Sequence, residues 1–216
     1  MPYHDPTASY HRGIVSQIAQ RHVSCSSKVP GKTISLDTNA SPFNNPKTKP
    51  RVPKASHKIE IADQQSLEFD AAPLISAVQA IADDHHVKIA EISIAVVDDP
   101  TIRVLNRQYL NHDYETDVIS FVLDWNEECS RLLGQLIVST DTATTLAAEI
   151  GGTMQDELLL YVVHGMLHLV GYDDKQPALA AKMREAEKVY LNRQGVEHRG
   201  FEQRPHQQTG QNGDSV

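Results

Sequence analysis

The charge of this 216-residue chain is divided in two, and the division limits what can fold. Residues 1–57 hold eight basic side chains (Arg12, Arg21, Lys28, Lys32, Lys47, Lys49, Arg51 and Lys54) against Asp5 and Asp37, a net +6. The remainder holds 12 basic and 26 acidic residues, a net -14. From Ser24 to Ser56 the chain is rich in Ser, Pro, Asn and Lys, with no sustained apolar period. Such a stretch buries too little surface to offset its chain entropy. We therefore expect 1–57 to be a disordered basic extension. A basic tail can bind nucleic acid, and a merely solvated extension explains it as well. From Phe201 onward the chain is rich in Gln, Gly and Arg, and 201–216 reads as a second disordered tail. That leaves 58–200, which is long enough for one core burying about two-thirds of its unfolded surface.

The composition, 40% hydrophobic and 22% charged, excludes a collagen, a coiled-coil rod and a wholly disordered chain. No apolar run approaches the ~18 residues that span a bilayer. Pro2, His4, Asp5 and Pro6 interrupt any signal-peptide core. Two cysteines, Cys25 and Cys129, make no disulfide framework. The expectation is a soluble cytoplasmic protein.

Within 58–200, residues 58–62 alternate weakly, as an edge strand does. Asp70 stands as an N-cap ahead of the helical stripe Leu74, Ile75, Val78 and Ile81. Residues 91–98 put Ile92, Ile94 and Val96 on one face of a strand. Asp99 then caps a short helix with Pro100 at its first position, ending near Tyr109. The β-branched runs 117–123 and 133–139 flank a polar turn and read as neighbouring strands. A helix from Thr140 or Asp141 ends at Gly151-Gly152, and another runs over 155–170 with Gly171 as its C-cap. The last, 177–193, turns Leu179, Met183, Ala186 and Tyr190 inward. Helices and strands interleave, so the fold class is α+β (mixed α/β), one small domain.

Chemistry concentrates in residues 164–174, His-Gly-Met-Leu-His-Leu-Val-Gly-Tyr-Asp-Asp. On a helix, His164 and His168 stand on one face about one turn (~5.4 Å) apart. That spacing lets two imidazoles ligate one metal ion. Leu158, Leu159, Val162, Val163, Leu167 and Leu169 surround them, so each imidazole requires a partner. Gly171 turns the chain and brings the carboxylates of Asp173 and Asp174 near the helix end. A third ligand from that turn would leave an open coordination position, the arrangement of catalytic zinc sites. A histidine pair held by hydrogen bonds alone remains the structural alternative. Zinc peptidases carry His-Glu-x-x-His with the glutamate as base; Gly165 occupies that place here.

The motif resembles the signature of the YbeY family, bacterial metal-dependent endoribonucleases tied to ribosomal RNA maturation and ribosome quality control. Their signature runs His-Gly-x-Leu-His-Leu-x-Gly-Tyr-Asp-His. Two further blocks agree: Leu105-Asn106, Tyr109, Asp113 and Thr116-Asp117-Val118-Ile119-Ser120-Phe121, then Leu132-Leu133-Gly134-Gln135-Leu136-Ile137-Val138. The resemblance covers about 92–194. It implies a mixed sheet of about four strands packed with helices, the metal site on a central helix. It also implies one zinc ion held by His164, His168 and Asp174, with single-stranded regions of ribosomal RNA precursor as substrate. Small ribosomal subunit proteins are implied partners, and a membrane is not.

Three positions depart from the family pattern. Asp174 replaces its third histidine; aspartate is a legitimate zinc ligand, yet it lowers the formal charge of the centre by one. Leu110 replaces an arginine expected to steady the RNA phosphate; Arg107, three residues earlier on the same helix face, could supply the guanidinium, and a solvated surface arginine is the other reading. Gln135 replaces the usual acid. Asp117 and Ser120 fit the family block and fit equally a strand-start cap and a strand residue. His112 reads as exposed, and His85-His86 as a helix C-terminal pair favoured by the dipole. The leading expectation is a zinc-dependent, single-strand-specific endoribonuclease. The alternative is a non-catalytic ribosome-assembly factor with a structural metal site.

Overall fold

The computed structural model describes residues 55–197, so the expectations for 1–54 and for 201–216 lie outside the described residues, while Ser56 and His57, expected in the disordered extension 1–57, pair with Ile89 and Ala90 in a strand. Strand β1 (Ser56–Asp63) alternates exposed and half-buried positions, as its place at a sheet edge requires. The Asp70 carboxylate accepts from the Ala72 amide and starts helix α1 (Ala71–Asp84). This helix buries Leu74, Ala77, Val78, Ile81 and Ala82. Strand β2 (Ile89–Val97) leads into helix α2 (Asp99–Leu110). There the cap is Asp98, which accepts from Thr101, one residue earlier than the sequence suggests. Both aspartates are competent caps, and Asp99 is instead drawn to Ser139 and Thr142 of the neighbouring helix start.

Strands β3 (Val118–Asn126) and β4 (Arg131–Ser139) form an antiparallel pair with a register shift between Val122 and Asp124. Helices α3 (Thr140–Ile150), α4 (Met154–Leu169) and α5 (Pro177–Arg193) follow. Gly151 closes α3 in the left-handed region at φ 68°, where a side chain would be strained. The sheet order is β1-β2-β4-β3, with β1, β2 and β4 parallel and β3 reversed. The architecture is α+β: one four-stranded mixed sheet and five helices among the described residues.

Period-two alternation divides the sheet into two faces. Ile92, Ile94 and Val96 of β2, with Leu132, Leu136 and Val138 of β4, join α1, α4 and α5 in the main core. Ala95, Val97, Ile119 and Ile137 point the other way and are buried, as are Ile102 and Leu105 of α2. Helix α4 touches α1, α3, α5, β3 and β4, which accounts for its nearly continuous burial. Gly165 lets it lie directly on the sheet. A Cβ there would meet Leu136 at 2.8 Å and Val118 at 3.0 Å. The helix facing the core on most sides therefore leaves a narrow strip for polar side chains, and His164 and His168 occupy it.

Candidate metal centre

His164 and His168 lie one turn apart on α4, with side chains 26% and 27% exposed. Helix α4 ends at Leu169 with Val170 as its C-cap, and Gly171 turns the chain at φ 99°, a conformation that suits glycine. The turn carries Asp174 back over the histidines. Its carboxylate oxygens lie 3.8 Å from His164 Nε2 and 4.0 Å from His168 Nε2. One donor atom from each of the three residues falls within 4.8 Å of the others. Asp173, by contrast, accepts from the Lys175 amide and shapes the turn.

Each imidazole is held from behind. His164 Nδ1 donates to Glu187 Oε1 of α5 at 2.6 Å, and His168 Nδ1 donates to the Tyr172 carbonyl at 3.0 Å. Both partners accept only, so both rings carry their proton on Nδ1. The two Nε2 atoms then face one another at 3.1 Å. Two bare lone pairs at that distance repel, and one positive charge between them removes the conflict. An extra proton can supply that charge, and so can a metal cation. Burial pushes His164 toward its neutral form, but the Glu187 bond and charge, with those of Asp117 and Asp174, outweigh it and raise its pKa. Burial and the neighbouring His164 charge push His168 down.

The donor set fits a metal ion. Zn–N bonds of about 2.0–2.1 Å in a tetrahedron set ligand atoms about 3.3 Å apart, and the Nε2 pair already stands near that separation. Asp174 brings a different oxygen nearest to each nitrogen, at 3.8 Å and 4.0 Å, so its exposed carboxylate would swing inward to ligate. Three protein ligands leave room for water or substrate, and the second partners on Nδ1 match the outer layer that metal-binding histidines require.

Other residues singled out in the sequence fall elsewhere. Arg107 is 60% exposed and leans on Asp113 at 3.7 Å, beside the closer Arg103–Asp113 pair at 2.9 Å. The structure does not bring it into the histidine cluster. Leu110 ends α2 with an exposed side chain. Gln135 is fully buried on β4, and neither amide atom has a hydrogen-bond partner among the described residues. Asp117 precedes β3 where Val118 meets Gly165, so it flanks His164; its Oδ1 accepts from the Val118 amide and the Thr116 hydroxyl. Ser120 sits opposite Leu136 in the β3–β4 ladder. His112 is exposed and stacks on Tyr114. His85 caps α1 and packs edge-on against Tyr172.

Glu187 is the site residue that sequence reasoning misses. The inward stripe of α5 runs through Ala180, Met183, Glu187, Tyr190 and Leu191. A carboxylate on such a stripe signals a buried partner, but the apolar period alone turns Ala186 inward in its stead.

A sequence profile described as Endoribonuclease YbeY matches residues 54–195. The chain is 42% identical over 136 residues to the Endoribonuclease YbeY of Salinibacter ruber, covering 60% of this chain and 87% of that protein. The Rhodopirellula baltica protein of the same name is 40% identical over 133 residues, covering 61% and 68%. The Chlorobaculum parvum one is 35% identical over 135 residues, covering 62% and 94%. A solution structure of a Thermotoga maritima protein aligns with a TM-score of 0.44 at 25% identity, over 62% of this chain and 87% of that one. With the profile spanning nearly the whole described domain, the helix of His164 and His168 included, this chain belongs to the Endoribonuclease YbeY family.

Proposed function

We propose that the protein is a zinc-dependent endoribonuclease that cuts single-stranded regions of ribosomal RNA precursors in the cytoplasm. The observation that carries this reading is the convergence of two Nε2 atoms and the Asp174 carboxylate within 4.8 Å, each histidine held from behind, in a chain of an endoribonuclease family. His164, His168 and Asp174 would hold one zinc ion. A zinc ion bound there supplies a Lewis acid that polarises the scissile phosphate and acidifies water. The residues themselves do the positioning. Glu187 and the Tyr172 carbonyl fix the rings, and the Gly171 turn presents Asp174. Gly165, where zinc peptidases carry their glutamate, disfavours peptide hydrolysis. Leu110 leaves the phosphate without the family's guanidinium, so catalytic rates below those of arginine-bearing relatives are expected.

The test is cleavage of an unstructured RNA oligonucleotide by the full chain and by His168→Ala, with zinc content measured in both. About one zinc per chain and cleavage in the parent, with both lost in the variant, is the expected result. Zinc in the parent with cleavage indifferent to His168→Ala would overturn the enzyme reading in favour of a non-catalytic assembly factor. Chelation separates the two roles as well. A structural metal takes the fold with it when removed, whereas a catalytic one leaves the helix content in place.

A further inference from the structure

We infer that Glu187 is the positioning residue that holds His164 in the one tautomer able to bind a metal through Nε2, making α5 part of the metal site without supplying a ligand. The inference rests on the metal site proposed above. A neutral imidazole in water exchanges between two tautomers, and only the one protonated on Nδ1 leaves Nε2 free to ligate. An acceptor at Nδ1 holds His164 in that form before any metal arrives. Glu187 provides it at 2.6 Å from a side chain that is 6% exposed. A carboxylate this deeply placed cannot relax to solvent and is held by its own packing on the inner stripe of α5, between Met183 and Tyr190. Asp174 approaches from the other side of the ring, at Nε2, and so cannot substitute.

The two histidines differ in how they are fixed. His168 uses the Tyr172 carbonyl, a backbone group four residues on, which the Gly171 turn places there whatever the side chains. His164 depends on a side chain 23 residues away on another helix. Docking of α5 and readiness of the metal site are therefore one event. Partners of this kind are worth about 10- to 100-fold in metal affinity.

The experiment compares the full chain with Glu187→Gln and Glu187→Ala, measuring zinc affinity by competition with a chromogenic chelator. Nitrogen NMR of the zinc-loaded proteins identifies which ring atom of His164 ligates. Glu187→Gln keeps an acceptor oxygen in place and should stay within about threefold of the parent, whereas Glu187→Ala should lose about 10- to 100-fold. The parent should show His164 ligating through Nε2, with the proton on Nδ1. Equal affinity in the parent and Glu187→Ala would overturn the inference, as would a Glu187→Gln loss as large as that of alanine. Ligation through Nδ1 in the parent would overturn it without any variant, so a poorly folding alanine protein does not block the test. No readout involves RNA: a protein that binds zinc as described but fails to cleave defeats only the enzyme reading.

Discussion

At the scale of single residues, two departures from the family pattern carry opposite messages. Asp174 sits within reach of both imidazoles and can complete the donor set, but its charge would weaken a metal ion held there as a Lewis acid. Asp174→His should therefore move the pH–activity profile of RNA cleavage toward lower pH; an unchanged or higher-shifted profile would show that the carboxylate does not set it. Gln135 has no such compensation. Its amide is fully buried with both polar atoms unpartnered among the described residues, and each such group costs about 1–3 kcal/mol. Gln135→Met, similar in volume and apolar, should raise the melting temperature by a few degrees, about 2–4 °C per kcal/mol for a domain this size. A melting temperature that falls would mean the amide has a partner in solution. The His-x-x-x-His spacing is legible because a helix puts i and i+4 on one face whatever surrounds it. Glu187 is not, because its role exists only once α5 has docked against α4. The same holds for Arg107: its spacing to position 110 says nothing of Asp113, which the loop after α2 folds back against it.

Among the elements, those with a local stop signal stand out in the sequence. Asp70, Gly151, Gly171 and Pro177 each mark a helix end within a residue or two of where it lies. What local signals do not reveal is order within the sheet. The parallel pairing of β2 with β4, and the placing of β3 at the edge, are set by which faces the helices cover. The ties between helices are equally hidden. Asp84, at the end of α1, accepts from Arg193 at 2.6 Å and Tyr190 at 3.2 Å on α5. The Arg193 bond holds its carboxyl below the usual value of 3.8, against a smaller opposing effect of burial. A depressed folded pKa means that the tie is fully present above about pH 4 and is lost as pH falls through the folded value. Asp84→Asn should thus lower the melting temperature at pH 7, and the difference from the parent should shrink toward pH 3. A difference that persists at pH 3 would place the stabilisation in packing instead.

For the molecule as a whole, charge is the problem that RNA binding must solve. Residues 55–197 carry 10 basic and 24 acidic side chains, whereas affinity for nucleic acid comes largely from cations set against phosphates. Residues 1–54, with eight basic side chains against two acidic ones, would supply such cations. Replacing Lys47, Lys49, Arg51 and Lys54 by Gln in the full chain should weaken binding of single-stranded RNA. It should also flatten the dependence of log Kd on log salt, by about 0.7 for each phosphate that the chain no longer neutralises. An unchanged slope would assign the phosphate binding to the folded domain or to a protein partner. The compactness of the ligand set has a different consequence, for folding. His164, His168 and Asp174 fall within eleven consecutive residues, so the unfolded chain keeps its donors close together and can still capture a metal. Zinc should then raise the melting point by less than its affinity for the native protein implies, because binding to the unfolded ensemble subtracts from the linkage. The bond from Glu187, closed across 23 residues, belongs to the native state. The share of metal affinity that depends on this and the other native-state contacts is the share that zinc returns as stability.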